Sequence, residues 1–361
     1  ADPNPADDTN AGVPSALASK IAGLTLLGKA VSGGSVSGLF TYEVGADEPA
    51  SITYSLTSKT GQGFNGEPTG LTTTVGGHAI ALYSDGAVVW GVANGDLSSG
   101  TKVFAAYIDA SGKLWLAQFQ AIAHNVDGST PDAYDDVASV LADVRVTLTI
   151  VDRDGDPATA TSNTPIKLSF QDDGPTITAD TTKELTISVD ETTLGTPAAQ
   201  SFAGVFTTNY GTDGKGSLTY SLGFKAGDTG LIDTASGKPV VLSLENGVVV
   251  GKADGQVVFT VSVNDDGLVT LQQLRPVKHP TNDPNEPVSL SADDLITLTA
   301  TAKDGDGDTK SASVGIGKNL VFLDDGPSIS VTSDSIILRV DESYLSINAK
   351  QSFAGAFTSQ Y

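Results

Sequence analysis

The chain repeats itself, and that repetition limits its choice of fold more than any other feature. QDDGP at 171–175 returns as LDDGP at 323–327, SVDETTL at 188–194 as RVDESYL at 339–345, and QSFAGVFTTNY at 200–210 as QSFAGAFTSQY at 351–361. ITYSL at 52–56 is echoed by LTYSL at 218–222, and VDRDGDPA at 151–158 by KDGDGDTK at 303–310. The words keep their order. DDGP and the DxDGD loop are displaced by 152 residues, VDE and SFAG by 151. Agreement over several words marks an array of homologous units. The 361 residues divide into a linker or divergent first strand at 1–29, repeat one at 30–175, repeat two at 176–327, and the opening strands of an incomplete third repeat at 328–361.

Within a unit the apolar period is two. Val144, Val146, Leu148 and Ile150 alternate with polar residues ahead of Asp152, and Ile296, Leu298, Ala300 and Ala302 do so ahead of Asp304. Such alternation is the mark of half-buried strands. Turn words (YSDG, ENG, NDDG, DASG, TASG) separate the runs. VVLSLENGVVVG reads as a hairpin about Asn246-Gly247, a favoured type I′ pair, and a second hairpin is centred on Asp265, Asp266 and Gly267. No long amphipathic helix is visible; the acidic stretches 132–142 and 291–295 have room for a turn or two. The pattern predicts an all-β chain of tandem immunoglobulin-like β-sandwich domains, with a closed barrel as the alternative. The third repeat, ending after one or two strands, cannot bury a core alone. It is left to lean on repeat two, to pair with another chain, or to be half of a domain split by an insertion.

A formal net charge of −23 argues against nucleic acid as a partner, since phosphates attract lysine and arginine. With no cysteine there is no disulfide and no thiolate metal site. No apolar run approaches the ~18 residues of a membrane span, so this segment is not expected to insert into a membrane. Methionine is absent and no signal peptide precedes the repeats, so the sequence reads as a piece of a longer chain.

The acidic words point to a cation. In KDGDGDTK, Asp304, Asp306 and Asp308 alternate with Gly305 and Gly307, which let the chain curl without Cβ clashes. Three converging carboxylates repel one another unless a hard cation lies between them. Oxygen ligands without cysteine or histidine suit Ca²⁺, which accepts six to eight oxygens in flexible geometry. The loop is not an EF-hand, because its twelfth position is Gly315, or Asn163 when counted from Asp152. Further ligands must come from elsewhere. The candidates are Asp152, Asp154 and Asp156 of the first loop, Asp172-Asp173 and Asp324-Asp325 of DDGP, and Asp190-Glu191 and Asp341-Glu342 of VDE. A solvated Asp-Gly turn is the bland reading of one such loop. Recurrence of all three aspartates in both copies favours the cation.

In combination, VDE, SFAG.F, D.DGD and DDGP resemble the tandem extender repeats of giant RTX adhesins, the type I-secreted surface proteins of Gram-negative bacteria. The likeness runs along 181–327 and, in repeat one, from Phe40 onward. It implies Ca²⁺-dependent β-sandwiches, secretion through a type I channel to the cell surface, and a role in adhesion or biofilm formation as a spacer or ligand-holding part. The implied partners are neighbouring repeats, with host or biofilm glycans or peptides bound by other modules. Repeat one departs from the pattern: where VDE is expected, around residue 24, it reads GLTLLG. The glycine-rich nonapeptides that name the RTX class are absent from this stretch.

Two rival functions are weaker. An enzyme finds little support. His124 and His279 are equivalent between repeats, which suits a structural or loop role, and no GxSxG elbow is present. Paired carboxylates that recur in every repeat are poorly placed for one glycosidase cleft. A sugar- or peptide-binding module would draw on Trp90 and Trp115, found only in repeat one, although both lie in strand-like runs that suit a core. The loop 124–140, with Asp127, Asp132, Asp135 and Asp136, is either an extra cation or contact site or a solvated surface loop.

Overall fold

The computed structural model describes residues 12–43, 46, 48–130, 135–331, 337–344, 346 and 348–360. Asp132 therefore lies outside the described residues. The chain forms two compact units. Unit 1 comprises residues 1–178 with 208–218 and 301–311; unit 2 comprises 179–207, 219–300 and 312–361. Both are all-β and sandwich-type, as the period-two alternation predicts, and no barrel closes among the described residues.

Repeat one begins with a short helix, α1 (Ser15–Lys20), followed by β1 (Gly28–Val31), β2 (Pro49–Thr57), β3 (Asn65–Thr72), β4 (Ala79–Ser84), β5 (Val88–Ala93), β6 (Thr101–Ile108) and β7 (Leu114–Gln118). Then come β8 (Val137–Ser139), β9 (Arg145–Asp152), β10 (Pro157–Thr161) and β11 (Ser169–Gln171). A six-stranded sheet, β1-β7-β6-β5-β4-β3, faces the sheets β10-β9-β2 and β11-β8. The alternating residues predicted to point inward do so: Val144, Val146 and Leu148 are buried, Leu148 3% exposed and the other two not at all. Phe104 of β6 meets Phe170 of β11 across the core, with ring centroids 4.9 Å apart. A second apolar cluster covers the outer face of the large sheet. There Trp90 and Trp115 pack with Leu17 of α1. Both tryptophans are thus core residues, Trp115 donating its indole N–H to Asp109 at 2.8 Å.

The second repeat runs through β12 (Thr176–Ala179), β13 (Ile187–Asp190), β14 (Ala198–Ser201), β15 (Phe206–Asn209), β16 (Lys215–Phe224), β17 (Val241–Glu245), β18 (Val248–Ala253), β19 (Gln256–Val263) and β20 (Leu268–Gln273). It continues with β21 (Pro287–Ser289), β22 (Ile296–Asp304), β23 (Thr309–Gly315) and β24 (Leu320–Leu323). Its sheets are β14-β20-β19-β18-β17, β13-β24-β21 and β16-β22-β23. Phe259 and Phe322 repeat the Phe104–Phe170 contact at 5.2 Å. The predicted hairpin about Asn246-Gly247 joins β17 to β18, with both residues at positive φ (50° and 82°) as a type I′ turn requires. The turn between β19 and β20 is held by Asn264, whose carboxamide oxygen accepts the N–H groups of Asp266 and Leu268. The acidic stretch 291–295 contains one 3-10 turn, Asp293–Leu295. The third repeat contributes β25 (Ser328–Val331) and β26 (Phe357–Gln360), an antiparallel pair counted with unit 2.

Candidate metal centre

The KDGDGDTK turn between β22 and β23 is built around Asp304. Its Oδ1 accepts the N–H groups of Gly307 (3.1 Å) and Asp308 (2.8 Å), and its own N–H donates to the Asp308 carbonyl. Gly307 sits at φ +133°, where a side chain would also strike the Asp127 carboxylate. Asp308 Oδ1 accepts the Gly128 N–H at 2.5 Å, and Thr309 returns an N–H to the Gly128 carbonyl at 2.7 Å. This seats the turn against the loop that follows β7. Asp304 and Asp308 are each 1% exposed, so the turn is no solvated hairpin.

Around it gather Asp172, from the DDGP word after β11, and Asp213, from the loop between β15 and β16. Asp172, Asp306 and Asp308 each bring one oxygen within 4.8 Å of the others, as do Asp172, Asp173 and Asp213. Asp172 is common to both groups. All these residues belong to unit 1. Among the described residues, five carboxylate oxygens gathered here are buried without a hydrogen-bond partner: Asp136 Oδ1, Asp172 Oδ2, Asp304 Oδ2, Asp306 Oδ1 and Asp308 Oδ2. A buried polar atom left unpaired costs about 1–3 kcal/mol, more when charged, so five in one place call for a positive partner.

His124 supplies part of that charge. Its Nε2 faces the Phe170 carbonyl at 3.2 Å, and its Nδ1 faces Asp172 at 3.2 Å and Asp306 at 3.8 Å. Both ring nitrogens therefore lie near acceptors, as in an imidazolium, although Nδ1 approaches the carboxylates without hydrogen-bond geometry and also stands close enough to Asp136 and Asp172 to share an ion with them. Burial alone would lower its pKa, but Asp172 and Asp306 override that and hold it up at about 10. Asp306 is in turn held below the usual carboxylate range: burial opposes the shift, and the His124 ring and N–H outweigh burial. One cation among so many carboxylates is insufficient. Burial pushes Asp213 up to about 7 despite a 2.5 Å hydrogen bond from Thr74, with Asp306, Asp172 and Asp173 adding repulsion. Burial likewise raises Asp304 and Asp308 to about 7, with Asp306 adding repulsion at the first and Asp172 at the second. The unpaired carboxylate atoms are hard oxygens, the set Ca²⁺ prefers, and His124 Nδ1 is the one nitrogen among the unpaired atoms beside them. A divalent ion held by Asp172, Asp306 and Asp308, with Asp213 beside them, fits the residues present.

These shifts fix the sign of a pH effect. A carboxyl whose folded pKa is raised binds protons more tightly folded than unfolded, so stability falls as pH rises from about 4 to about 7. His124 acts in the same direction between about 6.5 and 10. In EDTA, the melting midpoint of the chain is expected to be higher at pH 5 than at pH 8, as differential scanning calorimetry would record. Saturating Ca²⁺ should remove the inversion.

The other predicted acids have separate fates. Glu191 is 7% exposed, and its Oε1 accepts from Gln273 Nε2 (2.8 Å), the Val277 N–H (2.8 Å) and His279 Nε2 (3.3 Å). Burial raises its pKa against these three donors. Asp324 lies 3.9 Å from the same His279 nitrogen, so Glu191, His279 and Asp324 form a smaller group in unit 2, where Glu191 Oε1 is well partnered but His279 Nδ1 and Gln273 Oε1 are buried without a hydrogen-bond partner. Asp190 caps the 3-10 turn Glu191–Thr193 through the Thr192 N–H. Asp325 donates its N–H to Asp324 Oδ1. Asp341 and Glu342 are exposed. Asp152, Asp154 and Asp156 repeat the turn of Asp304, with Asp152 Oδ1 accepting from Gly155 and Asp156, but it is an open cluster, with Asp154 and Asp156 exposed. Sequence reasoning did not single out Asp213, although it lies in a turn word, TDG at 212–214. It gave His124 a structural role without a charge, and left the loop holding Asp127 and Asp136 open between a cation site and a solvated surface.

The description of a domain of unknown function, DUF5801, matches residues 6–164 and again residues 186–317. The chain belongs to this family. Each matched stretch overlaps one repeat, the first reaching back to residue 6, while residues 208–218 and 301–311 of the second belong to unit 1. No protein of curated function matches the sequence. The second DUF5801 match begins at Thr186, one residue before β13, and its VDE word is therefore part of the domain; in the first, no VDE occurs.

Proposed function

We infer that this pair of DUF5801 domains is a calcium-stabilised structural stretch of a secreted bacterial surface adhesin of the RTX type. The observation that carries the reading is the group of five unpaired buried carboxylate oxygens around Asp172, Asp306 and Asp308. Where Ca²⁺ is scarce, as in cytoplasm, their repulsion opposes folding and suits export through a channel. At the cell surface, millimolar Ca²⁺ fills sites of about 10⁻⁴–10⁻³ M affinity and holds the fold closed. DGD, DDGP and the loop after β7 come from distant parts of the sequence, so one ion would tie three segments together. The burial of Trp90 and Trp115, 2% and 7% exposed, favours a spacer over a sugar-binding module, because neither ring is free to stack on a ligand. No described helix is long and apolar enough to cross a membrane. The reading assigns no catalysis to the segment.

Limited proteolysis tests it. In EDTA a nonspecific protease is expected to cut within the loop 124–130 and the 303–310 turn, and in millimolar Ca²⁺ these cuts should slow at least tenfold. Identical digestion in both conditions would refute the reading.

A further inference from the structure

β13 pairs in parallel with β24, and Asp190 stands opposite Leu323. The next residues, Glu191 and Asp324, therefore leave the sheet side by side, and like charges so placed repel. His279, from the loop after β20, lies against both. Its Nε2 is 3.3 Å from Glu191 Oε1 and 3.9 Å from Asp324 Oδ1. Each of the three residues presents one ligand atom within 4.8 Å of the others, and all belong to unit 2. The side chains of Glu191 and His279 are each 3% exposed, that of Asp324 20%.

Hydrogen bonding accounts poorly for this spacing. A charged imidazole donating to a carboxylate closes to about 2.7–2.9 Å. The contact to Glu191 is longer, and 3.9 Å to Asp324 is outside hydrogen-bond range. Two atoms each about 2.0–2.2 Å from a tetrahedral ion, by contrast, stand about 3.3–3.6 Å apart.

Two buried atoms of the group add to this. Gln273, 1% exposed, gives its Nε2 to Glu191, but its Oε1 has no partner, and neither has His279 Nδ1. While Nε2 holds the proton and donates to Glu191, Nδ1 is a bare acceptor, so the group contains two unmet acceptors. A metal on Nε2 would put the proton on Nδ1 and leave one donor for one acceptor. Gln273 Nε2 and the Val277 N–H, each 2.8 Å from Glu191 Oε1, already fix that carboxylate as outer hydrogen bonds fix metal ligands.

We propose that Glu191, His279 and Asp324 bind a divalent transition metal of the Zn²⁺ class, with water at the fourth position on the partly open Asp324 side. A nitrogen donor and three protein ligands suit Zn²⁺, whereas Ca²⁺ takes six to eight oxygens. The ion would join the end of β13 to the loop after β20 and to the DDGP word after β24. It would also neutralise the two carboxylates that the strand pairing brings together. None of its ligands belongs to the group around Asp172, Asp306 and Asp308.

The test is a calorimetric titration of the untagged chain with Zn²⁺ in saturating Ca²⁺. The chain has no cysteine and only three histidines, His78, His124 and His279, so few other strong Zn²⁺ donors compete. One Zn²⁺ per chain is expected, with a dissociation constant in the micromolar range or below. Glu191→Gln, His279→Gln and Asp324→Asn should each weaken binding at least tenfold. His78→Gln, at an exposed position, and Asp308→Asn should leave it unchanged. Circular dichroism checks that each variant folds. Should His279→Gln fail to fold, Asp324→Asn and the visible spectrum of the Co²⁺-loaded parent decide, the intense bands of four-coordinate cobalt being expected. No Zn²⁺ binding in excess Ca²⁺, binding indifferent to Glu191→Gln and Asp324→Asn, binding lost in Asp308→Asn, or the weak bands of octahedral cobalt would each overturn the proposal. Because the calcium centre is filled throughout and shares no ligand, this result and the calcium reading can fail separately.

Discussion

The melting midpoint of unit 1 in about 10 mM Ca²⁺ is expected to lie roughly 5–10 °C above its midpoint in EDTA. The size follows from mass action. An ion that binds only the folded state stabilises by about 2.7 kcal/mol when present at about 100 times its dissociation constant, and surface-protein calcium sites have constants near 10⁻⁴–10⁻³ M. For a domain of 150–250 residues, 1 kcal/mol moves the midpoint by about 2–4 °C. The ion also relieves a native-state cost, because Asp304 and Asp308 can ionise without facing unpaired oxygens. Mg²⁺ at the same concentration is expected to produce a smaller shift, since it demands a strict octahedron and gives up its waters reluctantly. Calorimetry with each ion checks both statements, and a midpoint indifferent to Ca²⁺ would exclude a stabilising site.

The second large effect has opposite signs in the two conditions. Asp308→Asn keeps the oxygen that accepts the Gly128 N–H but removes the charge. In Ca²⁺ the variant should lose most of the ion-dependent shift. In EDTA at pH 8 it should melt above the parent, by roughly 1–3 kcal/mol in stability. The reason is that burial and the charge of Asp172 make the ionised Asp308 costly, which is why its pKa stands at about 7. Coupling to Asp172 and Asp304 keeps the gain to the size of one relieved buried polar group, about 1–3 kcal/mol. Asp154→Asn in the exposed equivalent loop is the control and should change the midpoint little in either condition. Equal destabilisation of Asp308→Asn with and without Ca²⁺ would mean that the side chain serves only the turn.

The fold was legible because its signal is local. Period-two alternation in Val144–Ile150 and Ile296–Ala302, and turn pairs such as Asn246-Gly247, reflect which side chains face a core and which backbone angles a hairpin needs. The acidic words were legible as chemistry but not as partners. Asp306, Asp308 and Asp172 were each named as candidate ligands, yet only the fold brings the second repeat's loop to the first repeat's DDGP. Asp213 carries no word of its own beyond a TDG turn, and its role depends on a contact with Thr74, 139 residues away in sequence. His124 was recognised as equivalent to His279. Its charge could not be read, because it arises from the Asp172 and Asp306 carboxylates that folding places beside it. VDE did not join the DGD turn: Glu191 is satisfied by Gln273, Val277 and His279, partners that no spacing rule would select.

The most direct test is a crystal of the chain grown in millimolar Ca²⁺, with anomalous differences measured at a wavelength where calcium scatters. A peak between the carboxylates of Asp172, Asp306 and Asp308, at 2.3–2.6 Å from their oxygens, is the predicted result. A map with no peak there, or with calcium only at Asp152, Asp154 and Asp156, would contradict it.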